Sequence, residues 1–321
     1  MGTDNHRPAA PSHIPVLADA VLDWLRVKPD GTYADCTAGL AGHAARIGAK
    51  LTTGKLIALD RDPESVEIAR QRLAEFPGAT VVRRNYAELE SVLEELGVDG
   101  LDGVLIDAGF SSMQLDDARR GFTFQEEGPL DMRLDTSSGP TARKFLASVG
   151  EKELARMLKE YGDVRPARRI AAAIVRRRER GAMETTSDLA AAVSEALDFV
   201  RGQPNEVRTV FQAVRIAVNE ELRWLERGVE VAIDALRPGG RLVVISFHSG
   251  EDRVVKNALR DASRPRRDLF ADGRVRAVKP PCVKVLTPKP VKPRQAEILQ
   301  NPRAKSALLR AAEKLGGGAK R

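Results

Sequence analysis

Glycines and polar side chains gather in three short loops, each of which follows an apolar stretch with the character of a buried strand. The loops span residues 35–43, 107–117 and 246–253. Ligands of open α/β sheets bind outside the carboxyl ends of the strands, so loops at these positions are the first candidates for a binding site. A plain strand-to-helix turn remains the alternative for each loop considered alone.

The first loop favours S-adenosylmethionine (SAM) over a dinucleotide. It contains Gly39 and Gly42 but no G-x-G-x-x-G fingerprint, which argues against NAD. Small residues let the backbone approach a ligand closely, and free N–H groups there can hold a carboxylate. Asp60 ends the second strand, where its carboxylate can accept hydrogen bonds from both ribose hydroxyls.

The second and third loops carry the remaining chemistry. The second combines Asp107 with Ser111, Ser112 and Gln114, and the third contains His248. Helix capping by the serines and a structural histidine are the alternative interpretations. If the two preceding strands are neighbours, the two loops lie side by side.

The elements that must position these loops alternate between strands and helices. Strands are predicted at 31–36, 55–60, 79–83 and 101–107, and Asp62-Pro63 is typical of a helix start. Near-continuous apolar strands that alternate with helices predict an α/β fold with a parallel sheet covered on both faces.

Beyond the fourth strand the pattern becomes helical. Helical periods without strands run from about 114 to 203, and one long helix is predicted from 207 to 236, capped before Pro238. The sheet resumes at 241–247. The tail is predicted to wrap the domain as a basic, proline-bearing segment with a last strand at 306–312.

The basic residues are concentrated in two segments. The chain has 52 Lys and Arg against 45 Asp and Glu, a net charge of +7. Residues 260–294 hold eleven of these basic residues and three aspartates, and 165–180 holds seven arginines and one glutamate. Such clustering favours a polyanionic partner, and nucleic acid above all. A solvated surface is the alternative.

Several classes of protein are disfavoured by composition. Cys36 and Cys282 are the two cysteines, and the four histidines never fall at metal-ligand spacing, so neither a disulfide framework nor a metal site is expected. No apolar run approaches the roughly 18 residues of a membrane helix. The polar N-terminus lacks the apolar core of a signal peptide. We therefore expect a cytoplasmic protein without a membrane partner.

At these loops the chain resembles the RsmH (MraW) family of bacterial ribosomal RNA methyltransferases. The resemblance extends over nearly the whole chain, from residue 13 to residue 306. The strings that carry it are His13-Ile14-Pro15-Val16-Leu17, Ala58-Leu59-Asp60-Arg61-Asp62-Pro63, Ser111-Ser112-Met113-Gln114-Leu115-Asp116, Gly121-Phe122-Thr123-Phe124, Gly128-Pro129-Leu130-Asp131-Met132-Arg133, Phe211-Gln212-Ala213-Val214-Arg215-Ile216, Ser246-Phe247-His248-Ser249 and Asn301-Pro302-Arg303-Ala304-Lys305-Ser306.

The resemblance implies both a fold and an activity. The implied fold is a Rossmann-like SAM-dependent methyltransferase core, residues 1–113 and 204–321, with a helical substrate-recognition domain, 114–203, inserted after the fourth strand. The implied activity is SAM-dependent N4-methylation of a cytidine in the decoding centre of 16S rRNA. The implied partner is small-subunit rRNA or the 30S particle, and the oligomeric state stays open.

Position by position, the resemblance also implies a set of SAM contacts. They are Ala41, Gly42, His43, Asp60, Tyr86, Asp107 and Gln114. The chain departs from the family pattern at Cys36 and Ala41, which replace glycines, and at Ala108 and Phe110. An alanine at position 41 is tolerated if its φ is negative and costs about 1 kcal/mol or more if its φ is positive.

Three residues are assigned catalytic roles as a hypothesis. Asp107 or a nearby carbonyl accepts a hydrogen bond from the cytosine amine, Phe110 stacks on the base, and the proton leaves to water or to His248. Two rival functions remain: an RNA-binding protein with impaired catalysis, which the altered first loop favours, and a small-molecule methyltransferase, which the basic segments argue against. An NAD oxidoreductase is disfavoured by the missing fingerprint.

Overall fold

A seven-stranded sheet forms the centre of the structure, a computed structural model that describes residues 14–109, 112–198, 200–269 and 275–316. The strands are β1 (Thr32–Asp35), β2 (Lys55–Asp60), β3 (Ala79–Arg83), β4 (Leu101–Asp107), β5 (Leu236–Ser246), β6 (Arg266–Leu269), β7 (Val275–Lys279), β8 (Val283–Val285) and β9 (Leu308–Lys314). Their order in the sheet is β3-β2-β1-β4-β5-β9-β8. The first five are parallel, β9 is antiparallel to both of its neighbours, and β6 and β7 pair separately.

Helices cover the sheet and fill the stretch between β4 and β5. They are α1 (Ala18–Leu25), α2 (Gly42–Gly48), α3 (Pro63–Leu73), α4 (Leu89–Glu95), α5 (Ser112–Asp116), α6 (Ala142–Ser148), α7 (Glu151–Gly162), α8 (Ala167–Glu179), α9 (Thr186–Ala196), α10 (Glu206–Asn219), α11 (Glu221–Ala235), α12 (Ser249–Ala262) and α13 (Gln295–Gln300). None of the helices in the described ranges combines the length and the apolar composition of a transmembrane segment.

The second strand shows why the sheet is buried on both faces. Successive side chains of a strand point to opposite faces. Leu56 and Ala58 pack with α1, α2 and α3 in one hydrophobic cluster, whereas Ile57 and Leu59 pack with α4, α11 and α12 in another. The α/β architecture and the parallel sheet expected from the sequence are thus confirmed, and the predicted bounds of β2, β3 and β4 agree with the structure.

A third hydrophobic cluster joins α6 to α10, which we call the helical cluster (residues 142–219). Apolar side chains of α7, α8 and α9, such as Leu154, Ile170 and Leu189, pack there with those of α10, such as Val207. The α10 helix contacts α7, α9 and α6. The division of the chain at residues 114 and 203 stays a prediction, because shared packing does not define an independently folding unit.

The predicted single helix from 207 to 236 was wrong. The structure has two helices, which meet at Glu220 in the left-handed conformation with φ 47°. The Asn219 side chain fixes this break, because its Nδ2 donates to the Met132 carbonyl at 2.7 Å and its Oδ1 accepts from the Leu134 N–H at 2.8 Å. The apolar stripe continues across the break, so its periodicity carries no sign of it.

Smaller differences concern the ends of elements. The N-cap of α9 is Thr185, which forms a capping box with Asp188, whereas the sequence favours Thr186 or Ser187 as the cap. Strand β5 begins at Leu236 and includes Pro238 to Gly240, a segment that the sequence placed between the end of the long helix and a strand starting at 241. The last strand, β9, begins and ends two residues later than predicted.

Candidate active site

Three aspartates lie at the carboxyl ends of neighbouring strands. Asp35, Asp60 and Asp107 end β1, β2 and β4, which are adjacent in the sheet. The loop after β1 is tied to the other two strand ends, because the Gly39 N–H donates to Asp60 Oδ2 at 2.7 Å and the Asp107 N–H donates to Thr37 Oγ1 at 2.7 Å. These bonds hold the three strand ends as one surface.

A cavity of about 160 Å³ opens at this surface, and we call it the first cavity. Six of the seven predicted SAM contacts line it: Gly42, His43, Asp60, Tyr86, Asp107 and Gln114. The sequence separates these residues by up to 72 positions, and the fold brings them to one edge of the sheet.

The seventh predicted contact, Ala41, lies behind the wall of the first cavity. It is buried and occupies the N-cap of α2 with φ 59° and ψ 25°. The positive φ is the costly case for alanine, since its Cβ crowds the backbone in the left-handed region, at about 1–2 kcal/mol. The replacement of a glycine therefore stores strain next to Gly42 and His43.

In the wall of the first cavity and directly behind it, three buried polar atoms of aspartate and histidine side chains have no hydrogen-bond partner in the described part of the chain. They are Asp35 Oδ2, His43 Nε2 and Asp107 Oδ1; His43 Nε2 lies 3.6 Å from the other oxygen of Asp107. Burial raises the pKa of Asp35 to about 6, although His43 nearby lowers it. Unpaired groups of this kind are costly unless a ligand completes them, so the site fits a small molecule with both donors and acceptors.

Asp60 is already engaged with the backbone on both oxygens. Its Oδ1 accepts from the Asp62 N–H at 2.9 Å, in addition to the bond from Gly39 to Oδ2. Burial raises the pKa of Asp60, and these two bonds act against that rise. Each carboxylate oxygen has a second lone pair, which leaves acceptor capacity for a ribose diol.

Gln114 and Tyr86 form opposite parts of the wall. The Gln114 Nε2 donates to Asp62 Oδ2, which also accepts from Arg120 Nη1 at 2.9 Å. Tyr86 lies in a 3₁₀ turn, Tyr86–Glu88, and packs so closely on α11 that a Cβ at Gly228 would lie 2.3 Å from its ring. Burial raises the pKa of the Tyr86 hydroxyl, which therefore stays neutral.

A second cavity of about 620 Å³ adjoins the first, and the two share Gly109, Phe247, Glu251 and Arg303 in their walls. The second cavity is lined by aromatic rings, among them Phe122, Phe124, Phe211 and Phe247. Its volume is that of a typical ligand pocket. The shared wall at Gly109 directly follows Asp107 and Ala108, so the two cavities meet at the end of β4.

His248 lines the second cavity and not the first. Its Nδ1 accepts from the N–H groups of Gly250 and Glu251, at 3.2 and 3.3 Å, and so caps α12. Its Nε2 lies 3.2 Å from Glu251 Oε1. In the neutral ring the proton therefore belongs on Nε2, because Nδ1 acts as an acceptor.

Sequence reasoning missed two buried glutamates. Glu221 lines the first cavity and forms a bidentate pair with Arg215 of the second cavity, both bonds at 2.9 Å. Glu251 lies in both walls, and its Oε2 accepts from the Phe247 N–H at 2.7 Å. Glu251 lies in the third loop, 246–253, but was given no role there, whereas Glu221 gave no signal, because it begins a helix that the apolar stripe had joined to its predecessor.

The sequence profile of the MraW methylase family matches residues 10–315. The chain belongs to the MraW methylase family. It is 48% identical over 310 residues to the "Ribosomal RNA small subunit methyltransferase H" of Geobacter sulfurreducens, covering 95% of this chain and 99% of that protein. The protein of the same name from Heliobacterium modesticaldum is 44% identical over 313 residues, covering 94% and 98%. The family assignment made from the sequence is confirmed.

Among solved structures, an rRNA methylase from Streptococcus thermophilus covers 93% of this chain and 94% of its own, with 10% identity and a TM-score of 0.42. As a member of the MraW methylase family, the chain has a Rossmann-like methyltransferase core and uses SAM as its cofactor.

Two arginines of the 165–180 segment, Arg177 and Arg178, bind groups within this methylase, whereas Arg169 is exposed and forms a surface ion pair. Arg178 donates from Nη1 to the carbonyls of Leu146 and Val149 at the end of α6, the first at 2.8 Å. Arg177 pairs with Asp188 and Glu195, and Arg169 pairs with Asp198 at 2.9 Å. Arg168 and Arg176 are exposed. The interpretation of the cluster as a phosphate-binding face thus holds for fewer residues than the sequence suggested.

Two of the predicted functional positions in the second loop lie outside the described residues. They are Phe110, the predicted stacking residue, and Ser111. In the basic segment 260–294, the described side chains of Lys284, Lys289 and Lys292 are exposed.

Proposed function

We propose that this MraW methylase transfers the methyl group of SAM to the exocyclic N4 amine of a cytidine in the decoding centre of 16S rRNA. The observation that carries the proposal is the meeting of two cavities at Gly109. One contains the predicted SAM contacts, and the other is aromatic and large enough for a base. The relatives of this chain named above are small-subunit rRNA methyltransferases, which supports RNA as the substrate.

The first cavity would bind both the amino acid part and the ribose of SAM. The loop 37–43 and the His43 side chain would bind the amino acid part, and Asp60 would bind the ribose hydroxyls. Tyr86 and Gln114 would complete the wall. SAM supplies an electrophilic methyl group on its sulfonium.

The second cavity would receive the target base. A base must leave its stack to enter a pocket of this kind, and aromatic side chains are the usual surface on which it comes to lie. Phe124 and Phe211 are in edge-to-face contact, with ring centroids 5.4 Å apart, which gives the cavity a rigid wall. We also propose that Phe110 stacks on the base.

Asp107 would orient the amine. Its Oδ1 is buried and lacks a hydrogen-bond partner within the described ranges, so it can accept a hydrogen bond from the N4 amine and localise the nitrogen lone pair. A methylated, positively charged amine is acidic, so a strong base is unnecessary. The geometry favours water over His248 as the proton acceptor, because the acceptor nitrogen of His248 already caps α12.

The RNA itself would be held outside the cavities. We propose that residues 114–203 act as the substrate-recognition domain and that exposed cations such as Arg168, Arg176 and Lys284 contact phosphates. The partner would be small-subunit rRNA or the 30S particle, in the cytoplasm.

Nucleoside analysis tests this proposal directly. Purified protein is incubated with labelled SAM and with ribosomal subunits that lack the modification, and the rRNA is digested to nucleosides. Label in N4-methylcytidine from the decoding-centre fragment is the expected result. Label in another nucleoside would overturn the assignment of the base, and label confined to protein-free small molecules would favour the small-molecule rival.

The rival without catalysis is tested by SAM binding alone. The strained Ala41 beside the first cavity is the observation that favours this rival. Calorimetric titration with SAM is expected to show binding. Folded protein that gives no heat of binding, but still binds rRNA, would establish the rival.

A further inference from the structure

Two segments that are far apart in the sequence meet beside the first cavity. Residues 14–17 and 295–306 form what we call the terminal clasp, and each half contributes to the cavity wall: Pro15 and Val16 from one, Asn301 and Arg303 from the other. Both halves belong to strings that carry the family resemblance, and the mechanism above gives neither of them a role.

Two hydrogen bonds join the halves of the terminal clasp. The Leu17 N–H donates to Glu297 Oε1 at 2.6 Å, across 280 positions of sequence, and Asn301 Nδ2 donates to the Ile14 carbonyl at 3.0 Å. A bond from a backbone N–H to a carboxylate is charge-assisted and is stronger than a bond between neutral groups. Glu297 therefore forms the stronger of the two hydrogen bonds that join the halves of the clasp.

The residue that Glu297 holds is strained. Leu17 has φ 54°, a left-handed conformation that a leucine adopts only where its surroundings enforce it. The turn at Leu17 lies between Pro15 and helix α1, which begins at the next residue, and so sets their relative orientation. Without the carboxylate, the segment 14–17 is free to relax to a commoner backbone conformation.

Pro15 packs on the loop that carries the predicted SAM contacts. A Cβ at Gly42 would lie 3.3 Å from the Pro15 Cβ, so the proline ring covers the start of α2 at close range. Gly42, which directly precedes His43, is thus in close contact with the clasp. A shift of Pro15 would release the wall on which cofactor binding depends.

We propose that Glu297 is a positioning residue for the cofactor: its carboxylate fixes Leu17 and thereby holds Pro15 against Gly42 and His43. This inference rests on the proposed placement of SAM in the first cavity. Glu297 touches neither the second cavity nor Asp107, so it acts on the binding of SAM and not on methyl transfer.

The test compares three variants of the full chain. Glu297→Ala removes the acceptor, Glu297→Gln keeps an acceptor oxygen without its charge, and Gln300→Ala is the matched control at an exposed position of the same helix, α13. The Kd for SAM is measured by calorimetry, and kcat and the KM for SAM are measured with ribosomal subunits.

We expect Glu297→Ala to raise Kd and KM about tenfold, the effect of losing one charge-assisted bond. Its kcat at saturating SAM should remain within about twofold of the wild type, because the transfer site is untouched. Glu297→Gln should restore most of the affinity, to within about threefold of the wild type, and Gln300→Ala should match the wild type.

Unchanged Kd and KM in Glu297→Ala would overturn the inference, as would a loss confined to kcat, which indicates a smaller folded fraction. If Glu297→Ala does not fold, Asn301→Ala is tested in its place. This variant removes the second hydrogen bond of the terminal clasp and should also raise the KM for SAM; an unchanged KM would overturn the inference. Failure of the cofactor placement itself gives a different result: Asp60→Ala would then bind SAM as well as the wild type does.

Discussion

Buried polar atoms without a hydrogen-bond partner gather in and next to the wall of the first cavity, whereas in the helical cluster Arg177 and Arg178 each bind two acceptors and, within the described residues, Arg177 Nε alone lacks a partner. Asp35, His43 and Asp107 each have a buried side-chain atom without a hydrogen-bond partner in the described part of the molecule. In the helical cluster, Arg178 binds two carbonyls and Arg177 binds two carboxylates. The two regions have comparable apolar cores, so the contrast lies in their polar groups.

The contrast separates side chains that are available to bind a ligand from side chains that stabilise the fold. A buried group without a partner reduces stability by about 1–3 kcal/mol, and a ligand that supplies the partner recovers this energy as affinity. A paired arginine gives the opposite pattern, because its removal harms the fold and leaves ligand binding intact. Substitutions in the two regions should therefore affect different measurements.

The largest effect is expected at Asp107. Asp107→Ala should lower kcat about 10²–10⁴-fold, because the amine loses the acceptor that localises its lone pair. Thermal unfolding of the free protein should not become easier and should shift, if at all, to higher temperature, since Asp107 Oδ1 has no described partner to lose. Turnover is measured with labelled SAM and ribosomal subunits. Asp99→Ala, an exposed carboxylate before the other end of β4, is the control; wild-type turnover in Asp107→Ala would remove Asp107 from the mechanism.

A pH-dependent effect on stability is expected at Asp35. Burial raises its pKa in the folded protein to about 6, so between pH ~4 and ~6 the folded protein keeps a proton that the unfolded chain has lost. Its contribution to stability therefore falls as the pH rises through this window, by an amount on the order of 3 kcal/mol.

Asp35→Asn cannot titrate and isolates this contribution. The free energy of unfolding of the variant minus that of the wild type should increase from pH 4 to pH 6 and level off above it. Denaturant unfolding without cofactor measures both proteins at each pH. A difference that is constant with pH would show that Asp35 ionises normally and that the first cavity is less dry than the structure indicates.

The strands were predictable because their signal is local. Lys55 to Asp60 is an apolar run that ends in an acid, and the structure gives the same bounds to β2. The parallel order then brings Asp60 and Asp107 to one edge without further information. Most of the first cavity could therefore be foreseen from strand ends and the loops that follow them, and the resemblance supplied the contacts at His43 and Tyr86.

What could not be predicted depends on contacts between distant residues. The break at Glu220 depends on Asn219 reaching the loop at Met132, and the pairing of Arg178 depends on the end of α6. The sequence shows the same cluster of arginines whether their side chains face phosphates or carbonyl groups. The terminal clasp is the extreme case, because its partners are separated by 280 positions and are joined by one carboxylate.

Arg178, which binds carbonyl groups, and Arg176, which is exposed, lie in the same helix, α8, and should respond differently to substitution. Arg178→Ala should lower the free energy of unfolding by about 1–3 kcal/mol, since two carbonyls of α6 lose a charged donor. Its matched partner, Arg176→Ala, removes an exposed charge and should change stability by under about 0.5 kcal/mol.

Salt-dependent RNA binding should show the reverse order. Arg176→Ala is expected to reduce the slope of log K against log salt by about 0.7–0.9, whereas Arg178→Ala should leave the slope unchanged. Binding of an rRNA fragment is measured at several salt concentrations. Equal slopes for the wild type and Arg176→Ala would assign Arg176 to solubility and would leave the helical cluster without a demonstrated phosphate contact in α8.

The smallest effect is expected at Ala41, where the first cavity stores backbone strain. Ala41→Gly removes the strain of an alanine at φ 59°, which stabilises the folded protein. It also loses a buried methyl group and makes the unfolded chain more flexible, and both effects lower stability. The net change should be a stabilisation of no more than about 1 kcal/mol. Ala44→Gly, at a buried helical position three residues later, loses the same methyl without relief and should destabilise by about 1–2 kcal/mol. Chemical denaturation compares the two variants. Equal destabilisation would mean that the left-handed alanine is not strained, and the departure from glycine at this position would then have no energetic consequence for the cavity wall.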